Sequence, residues 1–193
     1  MDFRQRLFQY RSYTPIPFLI LMVIFARPTL SSLLIGFCIV SGGEFLRLWG
    51  VAIAGSETRT TDAVGGTFLI TTGPFAYVRN PLYLGNILLY FGVGIMSNAL
   101  MPWLPWAALT YFFFQYSLIV SLEEEYLVRT FKGDFAQYCE SVPRFVPTLK
   151  KYSSGTHEQP FLNWKRGFVS EQRTLQAVGL LVLVLGVLWQ LRG

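Results

Sequence analysis

Gly73-Pro74-Phe75-Ala76-Tyr77-Val78-Arg79-Asn80-Pro81-Leu82-Tyr83-Leu84-Gly85 carries the chain from a polar loop into an apolar helix. Gly73-Pro74 is a turn signal that ends the apolar patch from Phe68 to Ile70. Asn80 followed by Pro81 reads as a helix start. The Asn side chain can accept from a free backbone N–H, and proline lacks the N–H that the first turn would leave orphaned. Such a helix start presents unpaired N–H groups and a positive dipole end, which suits an anionic group. Arg79, one residue earlier, adds a planar cation able to clamp a carboxylate. Gly85, one turn in, leaves room for a ligand to approach the backbone. Taken singly, these pieces also describe a plain loop-to-helix junction with an interfacial arginine and two belt tyrosines.

Outward from the junction, long uncharged runs dominate. The 193 residues are 52% hydrophobic and 14% charged, with a mean hydropathy of +0.42. A polar shell cannot cover that composition, so the chain reads as a single all-α integral membrane domain, residues 1–193. About five transmembrane helices are expected. The first covers residues 15–26, long enough to span if counted from about Tyr10. The others cover 30–54, 82–97, 103–122 and 175–191. Residues 1–14, with Arg4, Arg6 and Arg11 among aromatics, read as a basic lead-in at the membrane surface. Arg27-Pro28 follows the first apolar run where a cleaved signal peptide would have small residues.

Thirteen of the sixteen Lys and Arg residues fall in segments 1–14, 55–81 and 123–173. Arg27 and Arg192 fall on the opposite side, and Arg47 lies within a span. The positive-inside rule then puts the N-terminus, the junction and segment 123–173 on the cytoplasmic face. Glu44 and Arg47, three apart and inside a span, share one helical face. They read equally as an ion pair that locks packing or as the lining of a polar cavity. Cys38 and Cys139 fall in unlike surroundings and are not expected to pair, and His157, the single histidine, reads as a solvated loop residue. The polar loop of residues 55–72 lacks the pattern of a phosphate loop, and no Gly-x-Gly-x-x-Gly opens a helix, so a Rossmann-type nucleotide fold is not supported. No nucleic-acid partner and no metal site are expected.

A second stretch lies about forty residues on: Glu123-Glu124-Glu125-Tyr126-Leu127, then Phe131-Lys132-Gly133-Asp134-Phe135-Ala136-Gln137-Tyr138, then Val142-Pro143-Arg144-Phe145-Val146-Pro147. The two stretches in this order resemble the isoprenylcysteine carboxyl methyltransferase family, whose wider group includes the phospholipid methyltransferases. The resemblance covers roughly residues 40–147 and leaves the helix of residues 175–191 as an addition beyond the family-like core.

That resemblance implies S-adenosylmethionine as methyl donor and a lipophilic acceptor drawn from the bilayer, such as a prenylcysteine-like carboxylate. It also implies a cofactor pocket built from helices at the cytoplasmic boundary. The cofactor-binding positions it implies are Tyr77, Val78, Arg79, Asn80, Pro81, Tyr83, Leu84, Gly85, Glu123, Glu124 and Tyr138. Arg144 and Glu124 are the implied catalytic pair, Arg144 orienting the acceptor carboxylate, although it could also bind anionic lipid headgroups. The residue types fit on physical grounds: a guanidinium for the cofactor carboxylate, carboxylates for its ammonium or ribose, and Tyr77, Tyr83, Tyr126 and Tyr138 for adenine or the sulfonium. Glu125, outside the family pattern, can pair with Arg129 four residues on. A carboxylate acceptor needs no general base, so positioning and desolvation can supply the rate. The family commonly has His where this chain has Asn80, which keeps a capping group but cannot titrate. Lys132 reads as a minor insertion. Other classes that share much of this pattern are a lipid amine methyltransferase, a nicotinamide-dependent membrane reductase and a non-catalytic membrane adaptor.

Overall fold

The structure, a computed structural model, describes residues 2–55, 69–153 and 159–192. Most of the polar loop after Gly55, and His157, lie outside the described residues. Among the described residues the fold is all-helical: α1 (Phe3–Tyr10), α2 (Pro15–Ile24), α3 (Leu30–Ala54), α4 (Pro81–Ser97), α5 (Trp103–Ser141) and α6 (Trp164–Arg192), with a 3-10 turn at Gly73–Ala76. The helices α3 and α6 are long and apolar enough to cross a membrane, whereas α2 and α4 are shorter apolar helices. The first span counted back to Tyr10 is not one helix. Residues 11–14 turn and the helix restarts at Pro15, because Pro15 and Pro17 have no N–H for the carbonyls of Arg11 and Tyr13.

An antiparallel α3–α4 pair forms the centre, brought together by glycines facing across the seam. A Cβ on Gly43 would lie 2.8 Å from the Gly85 carbonyl oxygen, and one on Gly85 would lie 2.7 Å from that of Gly43. This is the close small-residue packing that helices use in lipid, where burial against neighbours gains no hydrophobic free energy. The space beside Gly85, expected to admit a ligand, is thus filled by α3: a Cβ there would also meet Arg47 Cγ at 2.5 Å.

Helix α5 folds back along α4. Pro105 packs on Gly94, and further along the Tyr83 and Tyr116 rings lie 4.9 Å apart. Phe112, fully buried, joins this cluster through Tyr90 at 4.3 Å and Phe18 of α2 at 5.2 Å. Such ring pairs add roughly 0.5–1.5 kcal/mol each beyond area burial. Helix α6 lies antiparallel on α3. Asn163 N–H donates to the Ala52 carbonyl at one end (2.9 Å), and Arg192 Nη1 donates to the Ala26 carbonyl at the other (2.8 Å). That second end also gathers Arg27, whose N–H donates to the Ser97 carbonyl. The two cations read as lying opposite the main basic segments therefore sit at one end of the bundle.

Helix α5 runs past its apolar part, through Glu123–Glu125, to Ser141. At Lys132 the backbone leaves the helix, with φ 44° and ψ −115°. The lysine expected to be a minor insertion is thus where the chain bends. Beyond the bend Phe135, Tyr138 and Val142 pack with Leu69 in a second small core, which closes the polar end of the bundle.

Candidate active site

The two marked stretches meet at this polar end. Pro74 at the start of the 3-10 turn sets its backbone, and the Val78 N–H returns to the Pro74 carbonyl (3.1 Å). That places Arg79 against the loop after α5. Its backbone N–H donates to the Pro143 carbonyl (2.9 Å), and its Nη1 donates to the carbonyls of Cys139 (3.1 Å) and Val142 (2.7 Å). Its Nε donates to Glu124 Oε1 at 3.1 Å. Most of the Arg79 donors are thus spent inside the protein, while Nη2 has no partner among the described residues.

Glu124 is held from two sides, since Arg144 Nε donates to Oε1 (3.3 Å) and Arg144 Nη2 donates to Oε2. Asn80 starts α4, but its side chain makes no capping bond. Its Nδ2 donates to the Arg144 carbonyl at 3.3 Å, so the amide ties the stretches together where a cap was expected. Glu125 pairs with Arg4 of α1 at 2.5 Å, the partner expected at Arg129 being replaced by one from the lead-in.

A cavity of about 760 Å³ opens beside this lattice, within the range of small-molecule sites. Its polar end is lined by Arg79, Asn80, Pro81, Tyr83, Glu123, Glu124 and Tyr138, with Tyr126 and Phe135 completing it. These are seven of the positions read from the sequence. Tyr77, Val78, Leu84, Gly85 and Arg144 do not line it. Val78 is buried, the Tyr77 carbonyl accepts from Thr148 N–H (2.8 Å), and Arg144 faces the other side of Glu124, with its side chain 39% exposed. The acceptor-orienting place expected for Arg144 therefore lies outside the cavity, because Glu124 stands between.

Glu123 accepts a hydrogen bond from Tyr83 O–H at 2.6 Å. Burial pushes its carboxyl up to about 7, partly opposed by that bond. Burial likewise raises the Tyr138 hydroxyl, which donates to the Phe75 carbonyl at 2.6 Å. The neutral Tyr138 side chain and the Glu123 carboxyl, both lining the cavity, suit a cationic ligand.

Deeper in, the cavity wall carries residues outside both motifs: Arg47, Asn86, Tyr90, Tyr116 and Glu171. Arg47 Nη1 donates to Asn86 Oδ1 and its Nη2 donates to Glu171 Oε2 at 2.5 Å. The Glu44–Arg47 pair is loose, at 3.7 Å, and neither Glu44 oxygen has a hydrogen-bond partner. Both sequence readings of that pair hold in part: Arg47 lines the cavity and locks three helices, while Glu44 sits behind it. Glu171 was not singled out from the sequence. The available signal was an acidic residue with Arg173 just before the apolar run of residues 175–191. Among the described residues no group of three or more His, Cys, Asp or Glu side chains could hold a metal ion.

Known proteins share parts of this sequence. The cobalt-zinc-cadmium resistance protein CzcN of Cupriavidus metallidurans is 31% identical over 121 residues, 62% of this chain and 51% of that protein. The nickel-cobalt-cadmium resistance protein NccN of Alcaligenes xylosoxydans xylosoxydans is 32% identical over 88 residues, 46% of this chain and 40% of that protein. Protein-S-isoprenylcysteine O-methyltransferase of Schizosaccharomyces pombe is 29% identical over 110 residues, 55% of this chain and 46% of that protein. The chain thus spans about half the length of the curated relatives it matches. No solved structure matches significantly. The profile described as Phospholipid methyltransferase matches residues 31–134, which takes in α3, the junction, α4 and the acidic part of α5. With more than half of its length inside that match, the chain belongs to the phospholipid methyltransferase family.

Proposed function

We propose that this protein is a membrane methyltransferase that uses S-adenosylmethionine and methylates a lipophilic acceptor, such as a prenylcysteine-like carboxylate, at the cytoplasmic membrane boundary. The observation that carries the reading is the shared cavity: both motifs contribute its polar end, and its other end is apolar. The donor set fits the cofactor. Glu123 and Glu124 can meet its ammonium or ribose, Arg79 Nη2 its carboxylate, and Tyr83, Tyr126, Tyr138 and Phe135 offer ring faces. When bound, S-adenosylmethionine supplies an electrophilic methyl group. The chain contributes positioning and exclusion of water, which is sufficient for an acceptor that is already a carboxylate. Of the positions implied by family resemblance, Tyr77, Val78, Leu84 and Gly85 support the pocket from behind in this reading. Arg144 acts through Glu124.

We read the topology as five spans with the N-terminus and the cavity mouth cytoplasmic. The arrangement of Arg27 and Arg192 at one end, away from Arg79 and Arg144, supports it. A lipid amine acceptor would use the same cofactor residues and differ at the acceptor end. Calorimetric titration of the detergent-purified protein with S-adenosylhomocysteine, with NADPH as comparator, tests the reading. Saturable binding of the former, weakened at least tenfold in Glu123→Gln, is expected. Binding of NADPH alone would move the protein to the reductase class, and binding of neither to folded protein would leave an adaptor.

A further inference from the structure

Four arginines line the cavity, and three of them are engaged. Arg79 is held by Glu124 and two carbonyls. Arg47 is held by Asn86 and Glu171. Arg11 lies over the Phe8 ring at 3.8 Å and donates to the Phe8 carbonyl. The fourth, Arg173 on α6, is exposed and has no ion-pair partner among the described residues. The nearest carboxylate in sequence, Glu171, is 2% exposed and already neutralised by Arg47.

The position of Arg173 matters because the cavity face turns from polar to apolar along α6 and along two neighbouring segments. On α6 the cavity face passes from Glu171, Arg173 and Thr174 to Ala177, Val178 and Leu181. Along the turn that leads into α2 it passes from Arg11 and Ser12 to Ile16 and Leu19, and from the Asn80 cap along α4 it passes from Asn80 and Asn86 to Leu89 and Val93. All three helices run the same way from the polar end, so their polar cavity residues lie toward that end, with Arg173 at the exposed rim, and an apolar trough lies beyond. A single-chain amphiphile lying in that trough would bring its headgroup to Arg173 and Thr174, where a cation complements an anion.

We propose that Arg173 is the acceptor-selecting residue of the cavity: it draws the anionic headgroup of a membrane amphiphile, a carboxylate, to the rim while α2, α4 and α6 hold the chain. This rests on the methyltransferase reading for the word acceptor, and gives to α6 the part that the sequence assigned to Arg144. Arg173 is a specificity residue; no chemical step is assigned to it.

The test uses two probes with the same chain: N-dodecanoylglycine and its uncharged primary amide, radiolabelled, with binding measured on the full-length protein in a nonionic detergent. The wild type is expected to bind the carboxylate at least tenfold tighter than the amide. Arg173→Ala should bring that ratio to about one and leave S-adenosylhomocysteine binding within twofold, and Arg173→Lys should retain part of the ratio. The ratio cancels any general loss of folded protein. No preference in the wild type, or a preference that survives in Arg173→Ala, overturns the proposal. An Arg173-dependent preference without S-adenosylhomocysteine binding would keep the anion site and remove the methyltransferase reading. The converse would remove the anion site alone.

Discussion

Two arginine–carboxylate clusters face the same cavity, and they are built differently. At the polar end, both oxygens of Glu124 accept from guanidinium groups, and Arg79 bonds three groups of the opposite stretch through its side chain. At mid-depth, Arg47 reaches Asn86 and Glu171, yet Glu44 keeps two buried oxygens without a hydrogen bond. The first cluster is closed by backbone carbonyls, which cannot be lost by mutation. The second depends on side chains from three helices, and it carries one carboxylate more than its single guanidinium can serve. The polar end is therefore expected to behave as one cooperative unit, the mid-depth cluster as a set of separable parts.

Removing Arg79 should break this contrast most violently. Arg79→Ala leaves Glu124 with one partner and two carbonyls with none, and breaking a buried pair from one side costs about 3–5 kcal/mol. Thermal unfolding in detergent should show a large loss, and S-adenosylhomocysteine binding should vanish. Arg79→Lys should not rescue, because one ammonium cannot reproduce a planar fork that serves a carboxylate and two carbonyls. A lysine variant with wild-type stability would show that the lattice is not cooperative.

At mid-depth the expected effects are smaller and opposite in sign for the two carboxylates. Glu171→Gln weakens the charge-assisted bond from Arg47 and should cost about 1–3 kcal/mol. Glu44→Gln removes an unserved carboxylate, and replacing such a group is often neutral or stabilising. Equal losses from both, measured side by side by thermal scanning, would mean that Glu44 and Glu171 share Arg47 as the closed cluster shares Glu124.

Glu123, which lines the same cavity, gives the comparison a pH axis. Its carboxyl sits at about 7 in the fold, raised chiefly by burial, against an unperturbed 4.5. The folded state therefore holds the extra proton between those values, and stability falls as pH rises from 4.5 through 7. A ligand ammonium beside it, such as that of S-adenosylhomocysteine, reverses the preference, since it favours the ionised form. Affinity for S-adenosylhomocysteine should fall about tenfold from pH 8 to pH 6, one proton being taken from Glu123 on binding. Glu123→Gln should flatten both slopes.

The difference between the clusters also explains what could be read from the chain. Gly73–Gly85 and Glu123–Pro147 carry turn, cap and charge signals at short range, so their meeting at one end was legible from their order and the distribution of Lys and Arg. The apolar runs marked the helices for the same local reason. Glu171 and Arg173 carry no such signal: an acid and a base ahead of an apolar run become a cavity wall only once α6 is laid along α3. The Asn80 amide was misread because a cap is a local option, whereas the Arg144 carbonyl that takes it arrives from 64 residues away. Gly85 was misread in the same way, its open side being claimed by Gly43 and Arg47 of α3.

Lys132 offers the smallest effect and the finest discrimination. Its φ of 44° lies where a side chain is disfavoured, and the bend it makes delivers Phe135 and Tyr138 to the core that closes the polar end. Such a conformation stores roughly 1–3 kcal/mol, and glycine would relieve it at an entropic cost of about 0.5–1 kcal/mol. Lys132→Gly is therefore expected to stabilise by about 1 kcal/mol, whereas Lys132→Ala, which keeps a Cβ, should not. Both leave the cavity wall untouched, so S-adenosylhomocysteine affinity should be unchanged in either. A gain in stability accompanied by weaker binding would mean that the bend is held under strain for the ligand, and would make the closed cluster at the polar end a tensioned device instead of a rigid one.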